Sequence, residues 1–364
     1  MQKILFNELK IFIYLPRDTY YEMKSFCGMN LDEITRFAIE NGYGEIHASK
    51  AATNFYRKRI SGFSEMKDLP GMLRNYLASA FSPGVFPPVS YVKSNDRSTK
   101  YLFQPGVYGD HETVFIPEER RNTICVSTQS GCRMGCPYCQ TGKMGLIRSL
   151  TAGEIVNQVY SVPETSKVTH VVFMGMGEPL DNLDEVLKAC HILTAQWGFA
   201  ISPQKITVST VGLSDRLDDF LERSGCNLTM SLYSPFSDER LRMIPAEASN
   251  PSAGIIGKMK KAAATGKRRF SIAYMMIRGI NDTERHLEEL IRILKGSAIR
   301  VNILPFHTIN SRSTEPPVTA RMEYFRHMLV SSGISASVRR SRGNDISAAC
   351  GLLAAGHIHK KNSC

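Results

Sequence analysis

The sequence predicts an α/β fold, either a partial (βα) barrel or a doubly wound sheet, preceded by a small helical unit. Three observations carry this. Seven short apolar, β-branched runs follow one another from about residue 100 onward. Amphipathic stretches of helical period separate them, and such alternation implies parallel strands joined by right-handed crossovers. The chain has 364 residues, 43% of them hydrophobic, which is enough for one large core and a smaller one.

Taken in order, "LDEITRFAIENGY" (31–43) and "LPGMLRNYLASAF" (69–81) have helical spacing. The stretch between them gathers Lys50, Phe55, Tyr56, Arg57, Lys58 and Arg59. "SPGVFPPVS" (82–90), with three prolines and a glycine, reads as a boundary. The predicted strands are "TICVST" (123–128), "THVVFMG" (169–175), "KITVST" (205–210), "NLTMSL" (227–232), "RFSIAYMMI" (269–277), "IRVNILP" (299–305) and "SASVRR" (335–340). The predicted helices between and after them start at residues 152, 183, 213, 252, 283 and 320. In either architecture the chemistry belongs at the C-terminal ends of the strands.

Lys and Arg exceed Asp and Glu by 11, which favours a polyanionic partner, nucleic acid first. "KKAAATGKRR" (260–269) and "RRSRG" (339–343) are the basic clusters that could meet phosphates. No apolar run reaches the ~18–20 residues of a membrane span. The N-terminus, with Lys3, Glu8 and Lys10 among its apolar residues, reads as that of a mature cytoplasmic chain. Nine unevenly spaced cysteines are no disulfide framework of a small secreted domain and suit metal or redox work.

Three of them, Cys132, Cys136 and Cys139, stand as C-x3-C-x2-C in a glycine-rich loop after the first strand. Structural zinc normally takes four closed ligands, so zinc would need a distant fourth. A [4Fe–4S] cluster held by three cysteines leaves one iron open to a substrate or cofactor. "FMGMGEPLDN" (173–182) ends the next strand, where Gly175 and Gly177 expose backbone and Glu178 offers a carboxylate to an ammonium group. "TVSTVG" (207–212) and "SLYSP" (231–235) place hydroxyls at two further strand ends, positions that commonly cap the following helix.

The cysteine triplet with Tyr138 before its last member, followed by G-x-G-E-P, resembles the radical S-adenosylmethionine (SAM) enzymes. The ordered set "ETVFIPEERRNTICVSTQSGCRMGCPYCQTGKMG", "GMGEPLDN", "VSTVG", "SLYSP" and "GNDISAACG" is similar to the adenosine-C2 RNA methyltransferase family and its C8-methylating antibiotic-resistance relative. "GFSEMKDLPGMLRNYL" (62–77) resembles that family's N-terminal accessory domain, and the likeness covers roughly residues 30–352.

The resemblance implies a partial (βα)6 TIM-like barrel of the radical SAM type over residues 96–352. It implies a helical, RNA-binding accessory domain over 1–95 and a tail over 353–364. Cys132, Cys136 and Cys139 would ligate a [4Fe–4S] cluster. Gly177, Glu178, Ser209, Ser231, Leu232, Tyr233 and His307 fall where the family contacts SAM, two molecules of which are used per turnover. Cys350 matches the cysteine that carries the methyl group, Cys125 the one that resolves it through a transient disulfide, and Glu112 the proton acceptor. The partners implied are ribosomal or transfer RNA and an electron donor such as flavodoxin or ferredoxin. Two positions depart from the family: Tyr233 replaces a usual His, and His307 an Asn that contacts SAM. Two alternatives stay open: the same radical chemistry on a non-RNA substrate, and a non-catalytic metal- or RNA-binding module. Cys27, Cys190, Cys226 and Cys364 match no motif.

Overall fold

The computed structural model describes residues 23–106, 109–306 and 317–354. The N-terminal stretch, His307 and Cys364 therefore lie outside the described residues. Two-residue strands β1 (Lys24–Ser25) and β2 (Phe81–Ser82) pair in parallel and bracket helices α1 (Leu31–Glu40), α2 (Glu45–Tyr56) and α3 (Gly71–Ala80). Asn30 caps α1 in a reciprocal box with Glu33, which satisfies two otherwise orphaned amides. The spacing of 31–43 had given no hint of α2, whose inward face is largely Ala48, Ala51 and Ala52 with Phe55 and Tyr56 behind them. Those two aromatic residues are core, not displayed surface.

Three antiparallel strands follow: β3 (Ser90–Lys93), β4 (Thr99–Phe103) and β5 (His111–Pro117). They extend the barrel sheet, because β5 pairs with β6 (Asn122–Cys125), the first parallel strand. After β6 the chain makes a small hairpin of β7 (Gln129–Cys132) and β8 (Gly145–Ser149), with the one-turn α4 (Gln140–Lys143) between them. The alternation then runs α5 (Ala152–Tyr160), β9 (His170–Phe173), α6 (Leu183–Thr194), β10 (Ile206–Thr210), α7 (Ser214–Arg223) and β11 (Asn227–Ser231). It continues with α8 (Ser237–Met243), α9 (Ser252–Ala263), β12 (Phe270–Met276), α10 (Glu284–Leu294), β13 (Arg300–Pro305), α11 (Thr319–Ser331) and β14 (Ala336–Val338). The sheet order is β14-β13-β12-β11-β10-β9-β6-β5-β4-β3, parallel from β14 through β6. This is the (βα)6 partial barrel, with β14 as a further edge strand.

Side-chain alternation divides the two faces of the sheet. Ile206, Val208, Leu228, Met230, Phe270 and Ile272 belong to the main core shared with the helices, and α1–α3 join that same core. The intervening Thr207, Ser209, Thr229, Ser231, Ser271 and Asn302 form a polar inner face, with Ser209 opposite Thr229 and Ser231 opposite Ala273. The barrel thus buries apolar surface outward and presents hydroxyls inward. Among the described residues no helix is long and apolar enough to cross a membrane.

Candidate active site

The cysteine triplet is held by the β7–β8 hairpin. Cys132 ends β7, Cys136 sits in the turn, and Cys139 is the residue before α4. The Cys139 amide donates to the Cys136 carbonyl at 3.0 Å. Gly131 has φ +73°, and a Cβ there would lie 1.8 Å from the Gly145 carbonyl oxygen, so only glycine lets the hairpin close. Burial pushes the Cys132 and Cys136 thiols up to about 12, with the charge of Cys139 adding to both. The three sulfurs thus share one electrostatic neighbourhood, and Cys132 and Cys136 resist ionising without a cation. A bound metal reverses this, since coordination deprotonates thiols. Among the described residues no trio of Cys, His, Asp and Glu converges as a single-ion site would require. An iron–sulfur cluster gives each thiolate its own iron, and three thiols set along one hairpin loop suit it.

Around this loop stand the ends of β9, β10 and β11. Gly177 (φ +97°) packs against Gln129, where an added Cβ would come within 2.6 Å of the Gln129 Cβ. Glu178 is buried; its Oε1 accepts from Thr210 Oγ1 (2.6 Å) and the Leu180 amide (3.0 Å), and its Oε2 from the Val211 amide (2.9 Å). Burial nevertheless dominates and raises its carboxyl to about 7. Ser209 and Ser231 are half-buried at the ends of their strands, and Leu232 is fully buried. Tyr233 adopts the left-handed region (φ 63°) and stacks on Tyr138 of the cysteine loop, with ring centroids 6.5 Å apart and planes at 12°. The tyrosine that departs from the family pattern therefore roofs the loop.

One buried guanidinium ties these strand ends together. Arg240 Nη2 donates to the carbonyls of Val211 (2.5 Å) and Ser231 (3.0 Å), its Nε donates to that of Leu232 (3.2 Å), and its Nη1 pairs with Glu247. Arg240 is fully buried, and nothing in a lone "DERLRM" run signals that.

Cys125 and the segment that carries Cys350 pack together beside the loop. Cys125 ends β6 and packs with Val114, Val172, Met176, Ala348 and Leu353, the last two flanking Cys350. Burial, then the charge of Cys350, raises its thiol. Cys350 as a residue is exposed, but its thiol is enclosed; burial, then the charge of Cys139, raises it. Ala348 and Leu353, on either side of Cys350, pack with Cys125, and Gly351 and Leu353 bond the cysteine loop, so the segment carrying Cys350 joins Cys125 to that loop. The segment after Cys350 is sewn to the loop: the Gln140 amide donates to the Gly351 carbonyl (2.8 Å) and Thr141 Oγ1 to that of Leu353 (2.7 Å). Glu112 is fully buried on β5, its Oε2 accepting from the Ala354 amide at 2.9 Å and its Oε1 lying 3.1 Å from Lys100 Nζ. Cys27, Cys190 and Cys226 are buried elsewhere.

The basic residues after α2 fasten the helical unit rather than stand free: Arg57 donates to the Gln196 carbonyl and Arg59 to that of Thr165, while Lys58 pairs with Asp68.

Residues 126–294 match the Radical SAM superfamily. A protein of Parabacteroides distasonis described as a probable dual-specificity RNA methyltransferase RlmN is 43% identical over 91% of this chain and 97% of its own. The dual-specificity RNA methyltransferase RlmN of Syntrophotalea carbinolica is 36% identical over 94% of this chain and 91% of its own. A solved radical SAM methyltransferase from Sphaerobacter thermophilus superposes with a TM-score of 0.84 at 34% identity, covering 91% of this chain and 99% of that one.

Proposed function

Since the chain belongs to the radical SAM superfamily, and within it to the family of RlmN-type RNA methyltransferases, we propose that it methylates C2 or C8 of an adenosine in ribosomal or transfer RNA. Membership implies a [4Fe–4S] cluster and SAM. The observation that carries the reading is the packing of Cys125 against the segment that carries Cys350, itself bonded to the cysteine loop. A binding module has no use for that pair.

C2 and C8 of adenine are electron-poor amidine carbons, so a methyl cation finds no nucleophile there. When bound, the cluster and SAM supply a carbon radical, and a second SAM supplies the methyl group. Cys132, Cys136 and Cys139 hold the cluster. Gly177, Glu178, Ser209, Ser231, Leu232 and Tyr233 shape the SAM side of the site, and His307 is the further cofactor contact expected from the sequence. The Cys350 thiolate accepts the methyl group and presents it to the base. Glu112 takes the proton lost from the base carbon. Cys125, held in its small apolar pocket, attacks the Cys350 sulfur. The S–S bond of a transient disulfide forms, and the bond from that sulfur to the methylene carbon breaks. The carbon keeps the electron pair and takes up a proton to complete the product's methyl group. The target adenosine has to be splayed out to reach Cys350. Residues 1–95 act as the RNA-binding accessory domain and 96–352 as the catalytic barrel. The net charge of +11 favours the phosphate backbone, and a small one-electron carrier such as flavodoxin or ferredoxin serves as reductant.

The test is anaerobic reconstitution with methyl-labelled SAM, followed by mass spectrometry of digested RNA. Label on an adenosine carbon supports the reading. Label confined to a protein or small molecule would replace the RNA substrate, and cluster-loaded protein that transfers no label would refute the assignment.

A further inference from the structure

Lys100 has no place in the relay as described, yet it occupies the middle of it. It lies on β4 and is almost fully buried. Its Nζ is 3.1 Å from Glu112 Oε1 and 3.3 Å from the Ser347 carbonyl oxygen. The second Glu112 oxygen accepts from the Ala354 amide at 2.9 Å. One buried ion pair therefore grips the backbone three residues before Cys350 and four residues after it. Further upstream the same segment is fastened to the β3–β4 turn by other groups. Asp345 accepts from Ser94 Oγ (2.6 Å) and the Asn95 amide (3.0 Å), and the Gly343 amide donates to Asp96 (2.9 Å).

A buried ion pair is a poor way to gain stability, because an apolar pair of equal volume commonly does as well. What it offers instead is dependence on charge. We propose that Lys100 is a positioning residue of the methyl relay. With ionised Glu112 it clasps the segment carrying Cys350, and the clasp loosens when Glu112 takes up a proton. This rests on the reading of Glu112 as proton acceptor. The step balances: a C–H bond of the tethered base breaks, an O–H bond forms on Glu112, and the electron pair stays with the base. The neutral acid no longer offers Lys100 a counter-charge and accepts less strongly from the Ala354 amide. Segment 347–354 then loses its hold on β4 and β5, keeping its bonds to Gln140 and Thr141, at the stage when Cys125 has to reach the Cys350 sulfur. Contacts at Asp96 and Asp345 do not involve Glu112 and keep the segment anchored upstream.

The experiment is hydrogen exchange read by mass spectrometry on the full, cluster-loaded chain. Glu112→Gln keeps the shape of the side chain and removes its charge. Lys100→Met removes the cation, Lys100→Arg keeps it, and Lys100→Met/Glu112→Gln avoids an orphaned buried charge if the single variant fails to fold. Exchange across 347–354 is expected to rise roughly tenfold or more in Glu112→Gln and in either Met variant, and to stay within about threefold of the parent in Lys100→Arg. Exchange at β9 and α6 is expected to be unchanged. Exchange across 347–354 within about twofold of the parent in Glu112→Gln overturns the clasp, and so does a uniform rise over the whole chain. A separate arm tests the reading beneath it: undiminished RNA methylation by Glu112→Gln refutes the proton-acceptor role, whatever the exchange data say of the clasp.

Discussion

Replacing Arg240 with Met removes one guanidinium that bonds three carbonyls at the ends of β10 and β11 and pairs with Glu247. Glu247 is then left buried, with Ser237 Oγ, Ser252 Oγ and the Ser252 amide as its donors. Breaking one side of a buried pair costs about 3–5 kcal/mol. At ~2.1 cal/mol/K of unfolding entropy per residue, a chain of 364 residues loses about 1.3 °C of Tm per kcal/mol. The expected fall is therefore about 4–7 °C, read by circular dichroism on metal-free protein. The double variant Arg240→Met/Glu247→Met strands no charge and should lose less than the single one. SAM affinity, measured by calorimetry on cluster-loaded protein, should fall in both, since the loops after Val211 and Ser231 lose their common anchor. A Tm within about 1 °C of the parent, together with unchanged SAM affinity, would refute the reasoning.

Three further outcomes follow from the same geometry. Glu178 titrates near 7 when folded and near the ordinary carboxyl value when unfolded, so its ionisation opposes folding. Stability is favoured below the unfolded pKa and lost as pH rises toward about 7. Relative to the parent, Glu178→Gln should therefore gain roughly 2–3 kcal/mol between pH 5 and pH 8 in urea melts, and a pH-independent difference would contradict the burial argument. Gly177→Ala drives a methyl group into Gln129 at a positive φ and should cost about 1–3 kcal/mol in the same melts; a neutral effect would mean the β9–β7 contact is slack. Serine at Cys132, Cys136 or Cys139 should each abolish iron retention after reconstitution, whereas serine at Cys190 or Cys226 should leave iron per chain unchanged; retention by any triplet variant would remove that residue from the ligand set.

The seven parallel strands were legible because each is a short β-branched run on a sheet buried outward by helices, and their observed starts fall within one residue of the expected ones. The antiparallel β3–β5 extension was not, because "TKYLF" and "HETVF" bury Thr99, Lys100, His111, Glu112 and Thr113, residue types that sequence patterns assign to surface. Glu112 could be named only through family resemblance, and its partner Lys100 only once β4 and β5 were seen side by side. Helix α2 escaped because alanines form much of its inward face, which weakens the apolar period. The triplet was legible through its spacing, whereas Cys125 and Cys350, and their joining in one relay, were legible only through the family resemblance. The route was not legible, because the two are separated by most of the barrel in sequence and the C-terminal segment returns over the hairpin to pack beside Cys125. The departure at Tyr233 gained a physical meaning only in three dimensions, as a ring stacked on Tyr138.

The central claim is that Cys350 carries the methyl group and Cys125 releases the product. Cys125→Ala, reconstituted and incubated with SAM and RNA, tests it most directly. Mass spectrometry of the digested complex should find a nucleoside bound through one carbon to the Cys350 sulfur, with little free methylated RNA. Free methylated RNA at the parent rate, with Cys350 unmodified, would contradict the account.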